Sequence, residues 1–373
     1  MYTDVYQKRL EKDLKNVYGK YMKKGGFDNS IPDKLREQYD ERRKMYPKEK
    51  YPYPLVEYKI KNGKVSVGHG IIKEFMKLRN DARAEHNLGI LRKTLEWCKE
   101  NDLEVPDTTL YIWVSDKPPS KININKFPIF IYAKPSNMNI PIFPDNTFFC
   151  FQKTKKYSGE CCDWDIMKKT ILNKCADVKK EPVIYFKGTD TTSFNNNIRR
   201  KLRDVSFHNK ETMIVKLDAW KNWEPITNFC KYMVLLNLPG KYPWSNRLKY
   251  LFLMDSIIIN INVETDFLER NEVYKKYLSF IDLVVTEKNY VEILFKYKRE
   301  HEDLSEKTNK RLREENQKEF VKLVNKINRI YKNRNDPKYK KMVSDSKKLV
   351  NKLTNERIYS YLYRAILLNS KLI

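Results

Sequence analysis

The chain lacks the residue spacings that hold metals. Its six cysteines, at 98, 150, 161, 162, 175 and 230, include no CxxC pair, and the adjacent Cys161-Cys162 matches no zinc pattern. Its four histidines, His69, His86, His208 and His301, are scattered and share no metal-ligand spacing. No metal is expected from this set. The cysteines read as buried, reduced thiols of a reducing compartment, with a bridge from Cys150 to one of the adjacent pair as the alternative. No run of about 18 apolar residues occurs, which excludes a membrane-spanning helix. Any role at a membrane would be a peripheral one, on an anionic surface. The first residues, MYTDVYQKRLEKDLKNVY, are charged and helical in pattern. No apolar run follows a basic start, so they do not read as a signal peptide. The glycine-rich phosphate signatures GxGxxG and GxxxxGK[ST] are both missing, as is any internal repeat.

What is present is a chain of 373 residues, long enough for two domains. Apolar and aromatic residues recur from about residue 50 to 290 and can fill sizeable cores. Lysine and arginine number 74 against 48 aspartates and glutamates, a formal net charge of +26. Such a surplus attracts polyanions: nucleic acid, an anionic membrane, or phosphorylated small molecules. It is equally the surface filler of a chain rich in Lys, Asn and Ile.

The pattern along the chain alternates. Residues 1–48 read as polar helix broken at Gly25-Gly26, residues 55–70 as a hairpin turning at Asn62-Gly63, and residues 71–100 as an amphipathic helix starting from Ile72, Phe75, Met76 and Leu78. Seven β-rich runs follow, at 109–116, 128–135, 182–188, 212–218, 232–240, 255–261 and 282–287. Helical stretches separate several of them, including 195–204 and the one through Arg247, Leu251 and Leu253. Continuous Val, Ile and Leu runs alternating with helices predict parallel strands covered on both faces, hence an α/β protein with two doubly wound sheets. A charged run marks a boundary near 175–181. The expected organisation is an N-terminal domain over 1–178, a second domain over 179–297, a basic helical segment over 298–350, and a final apolar helix over 351–373.

In open α/β sheets, chemistry gathers at the carboxyl ends of strands. That rule selects Asp116, the turn from Lys187 to Thr192, and the segment from Pro239 to Arg247. After Phe186-Lys187, Gly188 permits a tight turn, and Thr189, Thr191, Thr192 and Ser193 bring hydroxyls toward a helix start. Main-chain N–H groups there attract an anion. The same letters also fit a glycine turn with a threonine-capped helix and no ligand. A guanidinium at Arg247 could fork onto a phosphate or pair with a surface acid. Asp116, backed by Pro118-Pro119, is the natural general base; a strand-end Asp also commonly caps a turn. Asp163-Trp164-Asp165 has the letters of a DxD motif but reads as a helix N-cap.

These stretches, in this order, resemble glycosyltransferase family 90, which includes protein O-glucosyltransferases and fungal capsule-associated proteins. Val114-Ser115-Asp116-Lys117-Pro118 is similar to the family's strand ending in Asp before Pro. Phe186-Lys187-Gly188-Thr189-Asp190-Thr191-Thr192 is similar to its F-[RK]-G-[ST]-x-T-[ST] turn. The strand Phe229 to Leu238 and the helix Trp244 to Leu253, followed by Asp255-Ser256-Ile257-Ile258, complete the match over about residues 105–290. The resemblance implies a GT-B fold: two Rossmann-like doubly wound domains facing across a cleft, with the last helix returning to the N-terminal domain. It implies inverting transfer of glucose or xylose from a UDP-sugar to a hydroxyl of a glycan or protein, with no metal and no tightly bound cofactor. Asp116 would be the catalytic base. Phe186, Lys187, Gly188, Thr189, Lys231, Trp244, Ser245, Asn246 and Arg247 would form the donor-binding set, with Arg247 on the diphosphate.

Two positions depart from the family pattern. Lys187 stands where Arg is frequent, and Asp190 stands where a second basic residue is common, so one phosphate contact would be either lost or replaced by Lys231 or Lys241. Secretory features are not evident. A cytoplasmic enzyme, in the host cytoplasm if viral, is therefore expected over one acting on secreted repeats. Two other classes remain open: a nucleic-acid-binding protein using the basic helices of 298–350, although no specific nucleic-acid motif appears, and a non-catalytic member of the same fold.

Overall fold

The computed structural model describes residues 5–23, 25–45, 54–68, 81–115, 124–149, 163–190, 197–219, 222, 224–240, 244–267, 272–274, 277–286, 288–298 and 304–373. Two compact units emerge. One comprises Met1–Lys134, Met138–Met167 and Leu353–Ile373, the other Pro135–Asn137 and Lys168–Lys352.

The first unit begins with helices α1 (Val5–Tyr21) and α2 (Ile31–Met45). Leu10, Leu14, Val17, Tyr18 and Tyr21 of α1 are buried, the spacing of one helical face. Strands β1 (Leu55–Lys61) and β2 (Lys64–Val67) form the expected hairpin. Its two turn residues, Asn62 and Gly63, both have positive φ, 50° and 68°, as the tight turn between twisted strands requires. Helix α3 (Asp81–Glu100) and strands β3 (Thr108–Trp113), β4 (Ile129–Ile131) and β5 (Ala133–Pro135) follow. The predicted start of this helix, from Ile72 to Leu78, lies outside the described residues. The sheet order is β2-β1-β3-β4, with β1 antiparallel to β3 and only β3–β4 parallel. This sheet is mixed, not the doubly wound parallel sheet expected here. The hairpin turns β1 back along β2, and β1 then takes β3 as an antiparallel neighbour, whose side chains alternate between buried and half-buried.

Helix α4 (Trp164–Cys175) carries the chain onward. Asp163 caps it, accepting a hydrogen bond from Ile166 N at 3.0 Å, so the DxD letters are a helix cap as the pattern suggested.

The second unit holds β6 (Glu181–Lys187), α5 (Ile198–His208), β7 (Met213–Lys216), β8 (Tyr232–Asn237), the short α6 (Leu248–Leu251), β9 (Ile257–Phe267), β10 (Glu272–Tyr274), β11 (Tyr277–Ser279), α7 (Phe280–Val284), β12 (Val291–Tyr297), α8 (Glu306–Lys332) and α9 (Pro337–Asn351). Five strands run parallel in the order β7-β6-β8-β9-β12, and β10 adds antiparallel to the far end of β9. This is the 2-1-3-4-5 order of a doubly wound sheet, whose switch point falls between β6 and β8. Ile184, Phe186, Val234, Leu236 and Ile259 pack with Ile198 and Leu202 of α5 and with Phe320, Leu323, Ile327 and Ile330 of α8. Burying each such side chain stabilises the fold by roughly 1.5–3 kcal/mol. Much of the basic stretch from 304 onward is thus a covering layer of this sheet, with its charges turned to solvent.

Residues 282–287, expected as a strand, begin as helix α7. Ser279 and Asp282 form a reciprocal capping box: Ser279 N donates to Asp282 Oδ2 at 2.8 Å, and the Ser279 side chain accepts from the main chain of Asp282. That nucleates a turn where apolar content alone suggested extension. The last parallel strand is instead β12.

A disulfide joins Cys175 and Cys230, whose Cα atoms lie 5.5 Å apart, where reduced thiols were expected. Fifty-five residues separate the two in sequence; they meet only because the end of α4 lies against the start of β8. Cys98 is free and buried. Cys150, Cys161 and Cys162 lie outside the described residues. The final helix, α10 (Asn355–Asn369), belongs to the first unit. Tyr361 Oη donates to Ile142 O at 2.7 Å, and Asn369 Nδ2 donates to Thr109 O at 2.8 Å.

Candidate active site

The switch point of the parallel sheet carries a cluster of buried positive charge. Strand alternation sends Ile184 and Phe186 of β6 toward α5, and Tyr185 and Lys187 to the opposite face. Phe186 is fully buried, and two guanidinium groups stand over its ring: Arg199 of α5, 5.1 Å from the centroid, and Arg247, 4.9 Å from it. Arg199 Nη1 donates to Thr189 O at 2.7 Å and Nη2 to Leu238 O at 3.3 Å. Arg247 Nη1 donates to Lys187 O. The carboxyl ends of β6 and β8 are thereby tied together through two cations.

Neither arginine has a carboxylate partner among the described residues, and Arg199 Nε is buried with no hydrogen-bond acceptor. Asp190, which departs from the family pattern, makes no ion pair with them, and its charge offsets the shift on Arg199 only in part. Both its oxygens accept from Arg200 Nε, at 2.8 and 2.9 Å. Burial, reinforced by the charge of Arg247, holds the Arg199 guanidinium well below its ordinary proton affinity; burial does the same to Arg247. Two like charges taken out of water side by side are unfavourable until an anion joins them.

Gly188 makes the cluster sterically feasible. A Cβ there would lie 2.7 Å from Phe186 Cζ and 3.3 Å from Arg199 Nη1. The glycine is required by this close approach.

Around the cluster lie other predicted residues. Thr189 is half-buried and bridges to Asp218. Trp244, Ser245 and Arg247 stand together before α6: Trp244 O accepts from Gly240 N at 2.9 Å, and Ser245 Oγ accepts from Arg247 N at 3.4 Å. Asn246 is exposed, and its main-chain oxygen accepts from Lys249 Nζ at 2.9 Å. Lys187 is buried, but its ammonium faces two acids, Glu224 at 3.7 Å and Asp218 at 3.9 Å. Tyr185, on the same face of β6, donates to Glu224 as well.

Lys231 is not brought to this cluster. It immediately precedes β8, at the amino edge of the sheet, with its ammonium over Tyr232 at 5.0 Å. A six-residue strand separates it from the carboxyl edge, roughly 20 Å at 3.3 Å per residue. Thr191, Thr192, Ser193, Lys241 and Asp116 lie outside the described residues. The exit of the strand leading to Asp116 is held by Arg83 of α3, whose Nη1 donates to Val114 O at 3.0 Å.

Sequence reasoning missed Arg199. It sits in a run of bases, Arg199-Arg200-Lys201-Leu202-Arg203, that looks like a solvated face. The available signal was its place beside Ile198 and Leu202, both of which are buried.

Sequence reasoning also missed the carboxamides at the end of β8 and within β9. Asn237, Asn260 and Asn262 are buried, and Asn237 Nδ2 donates to Asn260 Oδ1 at 2.7 Å. Asn237 Oδ1 and Asn262 Nδ2 have no partner among the described residues. With Pro239, Trp244, Ser245 and Asp282 they line a cavity of about 10 Å³.

The model of the family described as "Glycosyl transferase family 90" matches residues 56–332, from the second residue of β1 to the end of α8. The chain belongs to glycosyltransferase family 90. Comparison with curated proteins gives no match. As a family-90 glycosyltransferase it acts on a sugar donor and an acceptor, and the arginine cluster lies wholly within the matched region. Among the described residues no helix is long and apolar enough to cross a membrane.

Proposed function

We propose that this family-90 enzyme transfers a sugar, glucose or xylose, from a UDP-sugar to a hydroxyl of a glycan or protein, with inversion and without a metal. The observation that carries this is the pairing of Arg199 and Arg247 over Phe186. Two neighbouring cations, one buried and one half-buried, with no ion-paired carboxylate among the described residues, suit a diphosphate at the switch point of a doubly wound sheet. Their fixed charge would stabilise the leaving UDP in place of a divalent ion. The unpartnered Asn237 Oδ1 and Asn262 Nδ2 nearby suit hydrogen bonds to the rest of the nucleotide, since a buried polar atom left unpaired costs about 1–3 kcal/mol.

In the proposed step the acceptor O–H gives its proton to the Asp116 carboxylate as the oxygen attacks the anomeric carbon. The bond from that carbon to the UDP oxygen breaks, and the electron pair leaves with the diphosphate facing Arg199 and Arg247. On this reading the protein is a GT-B enzyme, with Asp116 supplied by the N-terminal part of the chain.

The test is thermal unfolding with UDP. Ligand that binds only the folded state raises Tm by mass action. UDP at millimolar concentration raises Tm of the wild type more than that of Arg199→Ala, and one UDP-sugar among UDP-glucose, UDP-xylose, UDP-galactose and UDP-N-acetylglucosamine is hydrolysed. No shift with UDP, together with nucleic-acid binding that falls steeply with salt, would overturn the proposal.

A further inference from the structure

At the opposite, amino edge of the same sheet lies a larger, open cavity of about 540 Å³, bordered by the strand starts and by α9. Its walls are of two kinds. Met233, Ile257, Tyr339 and Val343 give an apolar lining, with Ile257 and Tyr339 buried. Lys180, Arg334, Lys340, Lys347 and Lys348 surround it with positive charge, against a single lining acid among the described residues, Asp255. That acid is already neutralised by Lys347, 2.5 Å away. Lys180 Nζ donates to the main-chain oxygens of Cys230 and Met254 and to Ser256 Oγ at 3.1 Å, so it closes the floor. Arg334 donates to Tyr331 O at 3.0 Å through Nη1, while its Nε is buried without an acceptor among the described residues. Lys340 and Lys348 are exposed and make no ion pair among the described residues. They lie eight residues apart on α9, near one helical face by the 3.6-residue period. The N-cap acid Asp336 is committed to Lys338, accepting its N–H at 2.9 Å.

We propose that this cavity is a second ligand site, separate from the arginine cluster, which binds an organic anion: a phosphate group carried on an apolar body. The volume is that of a small-molecule site. The apolar wall would take the body, and the Lys340–Lys348 rim with Arg334 would take the charge. A solvated inorganic ion would leave the apolar wall unfilled, and a neutral apolar ligand would leave the rim charges unanswered. Because the strands are parallel, the site lies a strand's length from the switch point, so occupancy here does not block UDP.

The experiment is calorimetric titration of the full chain with 1-naphthyl phosphate, with 1-naphthol and inorganic phosphate as single-feature controls. The expected result is saturable binding of 1-naphthyl phosphate at one site, at least 10-fold tighter than either control. The double variant Lys340→Glu/Lys348→Glu, both changes being on exposed positions, weakens it at least 10-fold with its helical circular dichroism retained. Val343→Trp, which fills the cavity, weakens it as well, and UDP does not compete. The proposal is overturned if 1-naphthyl phosphate does not saturate, if 1-naphthol binds equally well, if the charge reversals change nothing, or if UDP displaces it.

Discussion

Arg247 reaches back across sixty residues to hydrogen-bond the main-chain oxygen of Lys187, and so fastens the segment after β8 to the end of β6. The same side chain shares the Phe186 ring with Arg199. Removing either guanidinium therefore removes both a charge and a tie between strand ends. Hydrogen bonds to charged groups contribute about 1.5–3 kcal/mol, so Arg199→Ala and Arg247→Ala should each weaken UDP binding about 10- to 100-fold. The double variant should lose less than the product, because the two act on one anion. Calorimetric titration of the three variants measures this, and strict additivity would mean that the arginines serve separate partners.

Gly188→Ala places a methyl group against a ring that is fully buried. Phe186 must shift, and both arginines move with it. A destabilisation of about 1–3 kcal/mol is expected from overpacking, with UDP affinity falling beyond what the stability change explains. A variant with wild-type Tm and wild-type UDP affinity would show that the close approach at this turn is relaxed in solution.

Asp116→Asn should reduce transfer by about 10²–10⁴-fold, the usual worth of a positioned general base, and leave UDP affinity unchanged. The separation of the two effects is informative. Loss of both would point to a role in donor binding, and retention of both would place the base elsewhere.

The buried amine of Lys180 supplies a pH test. Burial pushes its pKa down to about 8 from 10.5; Asp255 acts against this and Lys347 adds to it. Between these values the unfolded chain holds more protons than the folded one, so stability from this group rises with pH across that window. Below pH 8 the full penalty of a buried charge is present. Urea unfolding of wild type and Lys180→Met at pH 7.5, 9 and 10 should show their difference moving in favour of the wild type as pH rises. A constant difference would place the Lys180 pKa near its ordinary value.

The features legible in the sequence were those set by neighbours along the chain. Asn62-Gly63 announced its hairpin, the apolar runs announced β6 to β9, and Gly188 and Arg247 announced the turn and the cation beside it. What escaped was set by contacts between distant segments. Arg199 looks like Arg200 in sequence. Only the packing of α5 on β6 turns one inward over Phe186 and the other outward to Asp190. Lys187 looked like a phosphate ligand because its partners Asp218 and Glu224 come from beyond β7. Residues 282–284 followed their cap rather than their apolar content, and Cys175 and Cys230 met because the end of α4 lies against the turn before β8. The unpartnered oxygen of Asn237 carries no sequence signal at all, since a polar residue ending a strand is ordinary.

The first unit closes with α10, whose Tyr361 and Asn369 bind residues laid down more than two hundred positions earlier. On the ribosome, the earlier segments of this unit must wait for its last helix. The parallel-sheet unit can mature while the first is still unfinished, and a premature stop shortly before α10 would ruin the first unit rather than the second.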